Sequence, residues 1–298
     1  MNFDFFAAGE SVSLREGFGR ALLAVGKERD DVYLFDADVR GGTGAAVFAE
    51  AFPERVIQFG VAEQNAMAAA AGFAESGLIP LVVGFGSFTV MRAHEMLRTA
   101  VCYGGRNVKV CCSHLGVDVG PDGATAQMLE DLATCRAIPN LDVLVPACAN
   151  EIQPMLKSVI EHAGPVYMRI GRSPTPIIYD SPGEIRVGEA NILREGGDVS
   201  LVACGSRVHA AVSAAEILAE AGLEARVVNL RSVKPIDTDT IRDCCVQTGA
   251  IVSVEDHTIP FLVEWVVRWR KSSFVSSPCR WRSWASRTAL GEAGSTAI

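Results

Sequence analysis

The stretch Val56-Ile57-Gln58-Phe59-Gly60-Val61-Ala62-Glu63-Gln64-Asn65-Ala66-Met67-Ala68-Ala69-Ala70-Ala71-Gly72-Phe73-Ala74 decides how this chain is read. Its first four residues have the β-branched and aromatic content of a buried strand, and Gly60 permits a sharp exit. From about Ala62 to Ala74 the residues are helix formers with almost no side-chain bulk, so another helix or backbone can approach closely. Glu63 is the single carboxylate at the head of that helix. An acidic residue in a first turn also complements the helix dipole. By itself, then, Glu63 leaves a structural and a chemical role open.

Working outward, the 298 residues suffice for two domains, because single cores stop growing near this size. A hydrophobic fraction of 49% with 28 glycines fits an α/β protein with buried parallel strands. The formal charge of -8 argues against nucleic acid or an anionic membrane as a partner, since both call for clustered Lys and Arg. An anionic substrate would need local arginines. The N-terminus has no basic, then apolar, leader, and no later run reads as a membrane span; a soluble, cytoplasmic protein is expected. The nine cysteines show no CxxC or Cys/His metal spacing and are expected as buried free thiols.

In chain order, Leu14, Phe18, Leu22 and Val25 recur at helical spacing, with Gly26 as the expected stop. Val32-Tyr33-Leu34-Phe35 is a strand that opens into the polar loop Asp36 to Gly44, and such loops are where α/β folds keep ligands. Its glycines form neither GxGxxG nor a phosphate-loop lysine pattern. Ile79 to Phe85 is another strand, followed by a helix carrying Phe88, Met91, Met96 and Leu97. Phe85 and Phe88 are compatible with ordinary core roles. Val108 to Cys112 leads into a long loop, Ser113 to Gln127, with one His and two Asp; long ordered loops after strands are more often functional than decorative. Further strands and helices alternate to Arg172. Ser173-Pro174-Thr175-Pro176 and Ser181-Pro182-Gly183 then punctuate a linker, and a smaller βα series follows.

These residues add up to a familiar pattern. Phe52-Pro53-Glu54-Arg55, Gly60-Val61-Ala62-Glu63-Gln64, Gly116 through Gly123 with Thr125 and Gln127, Ile138-Pro139-Asn140, Tyr167-Met168-Arg169 and Val254-Glu255-Asp256-His257 occur in the order and rough spacing of the transketolase family. From about Leu14 to Thr258 the chain resembles the C-terminal half of transketolase. The resemblance implies an α/β fold of two mostly parallel sheets flanked by helices: a thiamine diphosphate pyrimidine-binding domain over 1–172, a linker over 173–186, and a transketolase C-terminal domain over 187–298. It implies that the Glu63 carboxyl hydrogen-bonds the pyrimidine N1′ of thiamine diphosphate and shares a proton with it in a water-poor pocket. Phe85 and Phe88 match the aromatic pair that packs on the pyrimidine. Met91 stands where the family often has a tyrosine, and it covers a ring without hydrogen-bonding. Asp38 aligns with an acidic residue close to the cofactor.

For a sugar phosphate, the resemblance assigns His114 and Asp122 to substrate contact, His114 also to catalysis, and Arg172 to the phosphate, for which a planar guanidinium is suited. Arg15 aligns with a second phosphate arginine, and a plain solvated helix charge is the other reading. Ala126 departs from the histidine usual there, which sets ordinary pentose phosphate specificity in doubt. The family's diphosphate- and magnesium-holding N-terminal domain has no counterpart in this sequence. The resemblance therefore implies one subunit of a split transketolase that moves a two-carbon ketol unit from a ketose phosphate to an aldehyde. Thiamine diphosphate would bridge to an N-terminal partner subunit that supplies Mg2+, in a heterotetramer. The alternatives are the β subunit of a 2-oxo acid dehydrogenase and a noncatalytic assembly partner; a deoxyxylulose phosphate synthase fits less well, for want of its fused N-terminal half.

After His257 the composition shifts abruptly. Trp265, Trp269, Trp281 and Trp284 are the chain's four tryptophans, and none precedes them. A frameshift from about residue 260, returning to frame near Gly291, is the reading adopted, with a replaced tail as the alternative; no proper final helix or strand is expected.

Overall fold

The structure is a computed structural model that describes residues 5–258 and 280–286. It begins with β1 (Ser11–Ser13) and α1 (Leu14–Glu28), where the Ser13 hydroxyl accepts a hydrogen bond from the Arg15 N–H. There follow β2 (Val32–Asp36), the single turn α2 (Arg40–Thr43), α3 (Ala46–Ala51), β3 (Val56–Gln58) and α4 (Glu63–Ala74). β4 (Ile79–Phe85) runs into two π-helical segments, Ser87–Arg92 and Met96–Cys102, where the sequence predicts an ordinary helix. Next come β5 (Lys109–Ser113), α5 (Asp131–Ala137), β6 (Asp142–Leu144), α6 (Ala149–Glu161), β7 (Val166–Arg169) and β8 (Pro174–Pro176). The second series is β9 (Asn191–Arg194), β10 (Val199–Ala203), α7 (Val208–Glu220), β11 (Ala225–Asn229), β12 (Ser232–Lys234), α8 (Thr238–Thr248), β13 (Ala250–Thr258) and β14 (Arg280–Ser286).

Two mostly parallel sheets result. The larger has the order β12-β6-β7-β5-β4-β2-β3 and is parallel except at β12, which joins the edge antiparallel to β6. The smaller has the order β14-β13-β10-β11-β9, with β9 alone antiparallel. On one face of the large sheet, α1 and α6 bury Leu14, Phe18, Leu22, Ile152, Leu156 and Val159. On the other face, Met67 and Ala70 of α4 pack with Val82, Leu97 and Val110 in a core that runs on to Val202, Val228 and Ile241. The fully buried phenylalanines and leucines each contribute roughly 2 kcal/mol by leaving water.

Several local expectations are corrected. Helix α1 does not stop at Gly26 but runs to Glu28; a Cβ at Gly26 would lie 2.3 Å from the Phe52 ring, so the glycine serves close packing. The predicted linker contains β8, hydrogen-bonded antiparallel to β1. Ser232–Lys234, unread as a strand, crosses back to the large sheet. The smooth surface of α4 is partly consumed within the chain, where Ala66, Ala70 and Ala71 are buried, while Asn65 and Gly72 stay exposed. A closing strand does form: Arg280–Ser286 pairs parallel with β13, whose edge would otherwise be open, and its Trp-rich sequence has strand propensity. The proposed frameshift otherwise falls outside the described residues.

One buried charge within this framework is testable. Lys109, fully buried on β5, donates from Nζ to the His162 and Gly164 carbonyls at 2.7 Å, at the carboxyl end of α6. Burial pushes its ammonium down to about 7 from an ordinary 10.5, against a smaller opposing pull from Cys111 and Asp142. Between those values the unfolded chain holds a proton that the folded chain has lost, so this group's contribution to stability rises with pH across that window and is flat below it. The stability difference between wild type and Lys109→Met, followed by urea unfolding, is expected to grow in favour of wild type from pH 7 to 10. Parallel profiles would contradict this.

Candidate active site

The residues singled out by the sequence stand just past the carboxyl ends of parallel strands. Asp38 follows β2, Glu63 follows β3, Phe85 ends β4, His114 follows β5 and Arg172 follows β7. In such sheets this end is where loops meet to make a site.

Glu63 opens α4 and is only 4% exposed. Its Oε2 lies 3.2 Å from Nη1 of Arg92, a half-exposed residue on the first π-helical segment. Thr89 and Val90 of that segment turn inward, whereas Phe88, Met91 and Arg92 face out, Phe88 and Met91 at 40% and 49% exposure. Val61, two residues before Glu63, is also exposed. The Phe85 ring sits 6.5 Å from that of Phe88 and 3.8 Å from the His114 imidazole. A Cβ at Gly42 would fall 2.8 Å from Phe85, so the loop after β2 approaches the ring by having no side chain there.

His114, Asp122, Arg172 and Arg15 form one cluster. His114 has a left-handed backbone, φ +58°, and is 4% exposed. Arg172 Nε donates to His114 Nε2 at 3.3 Å and lies 3.0 Å from Asp122 Oδ2. With Nε2 accepting, Nδ1 carries the proton and donates to Ser113 Oγ at 2.9 Å. Burial pushes the imidazole down to about 4, the arginines adding to the shift and Asp122 opposing it. It is therefore neutral at physiological pH. Arg15 donates from Nη1 to the Gly42 carbonyl, while its buried Nε has no hydrogen-bond partner among the described residues. Burial and the neighbouring Arg172 both lower its pKa. Two guanidiniums are thus held together with an unspent donor.

Asp38 stands apart from this cluster. Its backbone is left-handed at φ +67°, and it accepts from Gln58 Nε2, which also donates to the fully buried Asp36. Ala126 is buried, its carbonyl accepting from Ser87 Oγ. Sequence reasoning missed Arg92, Gln58 and Ser113. It also missed Arg207, which reaches Asp118 in the substrate loop at 3.0 Å. For Arg92 the signal was available, as a cation directly after the methionine expected to cover a ring.

With this geometry in place, the comparisons with known proteins become decisive. The transketolase pyrimidine-binding domain matches residues 10–176, and the transketolase C-terminal domain matches residues 188–267. The chain belongs to the transketolase family. It is 40% identical over 254 residues to a transketolase C-terminal section from Methanocaldococcus jannaschii, covering 85% of this chain and 79% of that one. It is 33% identical over 252 residues to one subunit of an apulose-4-phosphate transketolase from Phocaeicola vulgatus, covering 84% and 81%. Among solved structures, a split gene transketolase described as an inactive β4 tetramer superposes with a TM-score of 0.87 at 36% identity, over 95% of this chain and 92% of that one.

The family implies thiamine diphosphate, and the residues present fit its pyrimidine half. Glu63 is a buried carboxyl held at Oε2 by Arg92, whose segment also carries Phe88, 6.5 Å from the Phe85 ring. For the diphosphate half, no group of three or more His, Cys, Asp or Glu side chains placed to hold a metal occurs among the described residues.

The depressed His114 pKa predicts a pH signature. Its folded value of about 4 lies below the ordinary 6.5, so the unfolded chain binds the extra proton between them, and this group's contribution is full above pH 6.5 and lost as pH falls to 4. Relative to His114→Gln, wild type is expected to lose stability across that window in chemical unfolding. A pH-independent difference would place the imidazole in water.

Proposed function

We propose that the chain is the C-terminal subunit of a split transketolase, which transfers a two-carbon ketol unit from a ketose phosphate to an aldehyde acceptor together with a diphosphate-binding partner subunit. The observation that carries this reading is the convergence of a neutral, buried His114 with Asp122, Arg172 and Arg15 beside the Phe85 ring. When bound, thiamine diphosphate supplies the carbon nucleophile and the electron sink. The chain's own residues then have separable tasks. Glu63 would offer its carboxyl to the pyrimidine N1′, with Arg92 holding Oε2. Phe85 and Phe88 would pack on the pyrimidine and Met91 would cover it, with Asp38 on the neighbouring loop.

Arg172 and Arg15 meet the sugar phosphate, for which Arg15 Nε is an available donor. As Arg172 turns to the phosphate it gives up its bond to His114 Nε2, leaving that lone pair to accept a proton from a substrate hydroxyl. Asp122 holds a further hydroxyl. The absence of the family's histidine at Ala126 removes one such contact, which supports a donor other than an ordinary pentose phosphate.

Magnesium and the diphosphate would be held mainly by the partner. The exposed Phe88, Met91 and Val61, beside the open face of α4, support a subunit interface at the pyrimidine site and assembly into a heterotetramer. The solved relative described as an inactive β4 tetramer supports the need for a second kind of subunit. Eight buried free thiols among the described residues fit a reducing, cytoplasmic setting.

The test mixes the purified chain with a transketolase N-terminal subunit, thiamine diphosphate and magnesium, and follows ketol transfer from a panel of ketose phosphates. Glu63→Ala is expected to lower the rate by about 100- to 10,000-fold, the usual range for a positioned proton-transfer group. If the mutant mixture is as active as wild type, the role given to Glu63 is wrong.

A further inference from the structure

The loop from His114 to Gly123 carries His114 at one end and Asp122 at the other, and its first turn is gripped from the second sheet. Gly116 leaves β5's end with φ +76°, and a Cβ there would lie 1.8 Å from Asp256 Oδ2. Asp256 sits in β13 at 2% exposure. Its Oδ1 is 3.4 Å from the Val117 N–H and 3.4 Å from Arg207 Nη2, and its carbonyl accepts from Arg169 Nη2 at 3.1 Å. The same Arg207 nitrogen lies 3.0 Å from Asp118 Oδ1, one residue further along the loop. Ser173 Oγ, next to Arg172, donates to the Asp118 carbonyl. Below the loop, the Thr258 N–H donates to the Leu129 carbonyl and the Ala133 N–H to His257 Nε2.

We infer that Arg207 and Asp256 are positioning residues: from the second sheet they clamp the Gly116–Asp118 backbone and so set the separation and aim of His114 and Asp122, an inference that rests on the sugar phosphate reading of that pair. One guanidinium nitrogen, Nη2, lies against two carboxylates, one on the loop and one on the second sheet, so the loop's place is set by a shared contact rather than by a single one. Asp256 is packed so closely that only glycine fits opposite it, which fixes the depth of the loop. Burial raises the Asp256 pKa, while Arg207 and Arg169 oppose that rise. The clamp's own hydrogen bonds and ion pairs include neither Glu63 nor Phe88, so it acts on the sugar half of the site and leaves the cofactor half alone.

The assembled enzyme with Arg207→Ala is expected to show KM for the ketose phosphate raised about ten-fold and kcat lowered about ten-fold, because Asp122 and His114 are both displaced, with thiamine diphosphate affinity held within about two-fold. Arg207→Lys restores part of the loss, because the ammonium keeps the charge but not the position and planar geometry of the guanidinium. Asp256→Asn, which keeps the packing against Gly116, is expected to raise KM in the same sense. Independently of any activity, hydrogen exchange on the chain reads the clamp: amides of Val117 to Gly123 exchange faster in Arg207→Ala while those of β4 and β5 do not change. Unchanged loop exchange, or a fall in cofactor affinity that accompanies the rise in KM, overturns the inference. Loss of ketol transfer by the wild-type mixture would instead sink the functional reading, with the exchange experiment still deciding the clamp.

Discussion

Parallel pairing of β2, β3, β4, β5 and β7 is the constraint on which everything else depends. Parallel strands must all end on the same side, and each needs a crossover to return. Here those crossovers place Asp38, Glu63, Phe85, His114 and Arg172 along one edge although up to 134 positions of sequence separate them, as the numbering itself gives. Because helices cover both faces of the sheet, the strands carry continuous apolar runs such as Leu81-Val82-Val83. Rigidity at the strand ends is what lets short loops hold side chains to hydrogen-bond tolerance.

From this scaffold two kinds of environment arise side by side. One is a charged cluster: a buried neutral histidine, one exposed carboxylate and two half-buried guanidiniums, with one buried donor left without a partner among the described residues. The other is apolar at its surface: Phe88 and Met91, at 40% and 49% exposure, stand on the segment whose Arg92 meets the buried Glu63 carboxyl. Water contact for Phe88 and Met91 has a cost, and a second protein surface covering them would remove it. The chain therefore fits the half-site proposed for it, with a charged cluster at the strand ends and exposed apolar side chains that a partner would cover.

Much of the fold was legible because buried parallel strands are written in β-branched runs: Ile79–Phe85 is read at its observed bounds, and α4 within one residue. The site residues were named by motif, yet their mutual distances were not, since nothing local tells Arg15 that it will stand beside Arg172. What escaped did so for physical reasons. β12 is three residues long, too short for a period to show, and is held by a distant edge. The partner of Glu63 depends on π-helical winding at Ser87–Arg92, which places Arg92 rather than Met91 against the carboxyl. Contacts across 139 residues, as between Val117 and Asp256, leave no trace in a window of sequence.

The half-site character is tested most directly by calorimetric titration of thiamine diphosphate and magnesium into the chain, first alone and then mixed with a transketolase N-terminal subunit. Saturable binding is expected only in the mixture. Tight, stoichiometric binding by the chain alone would contradict it.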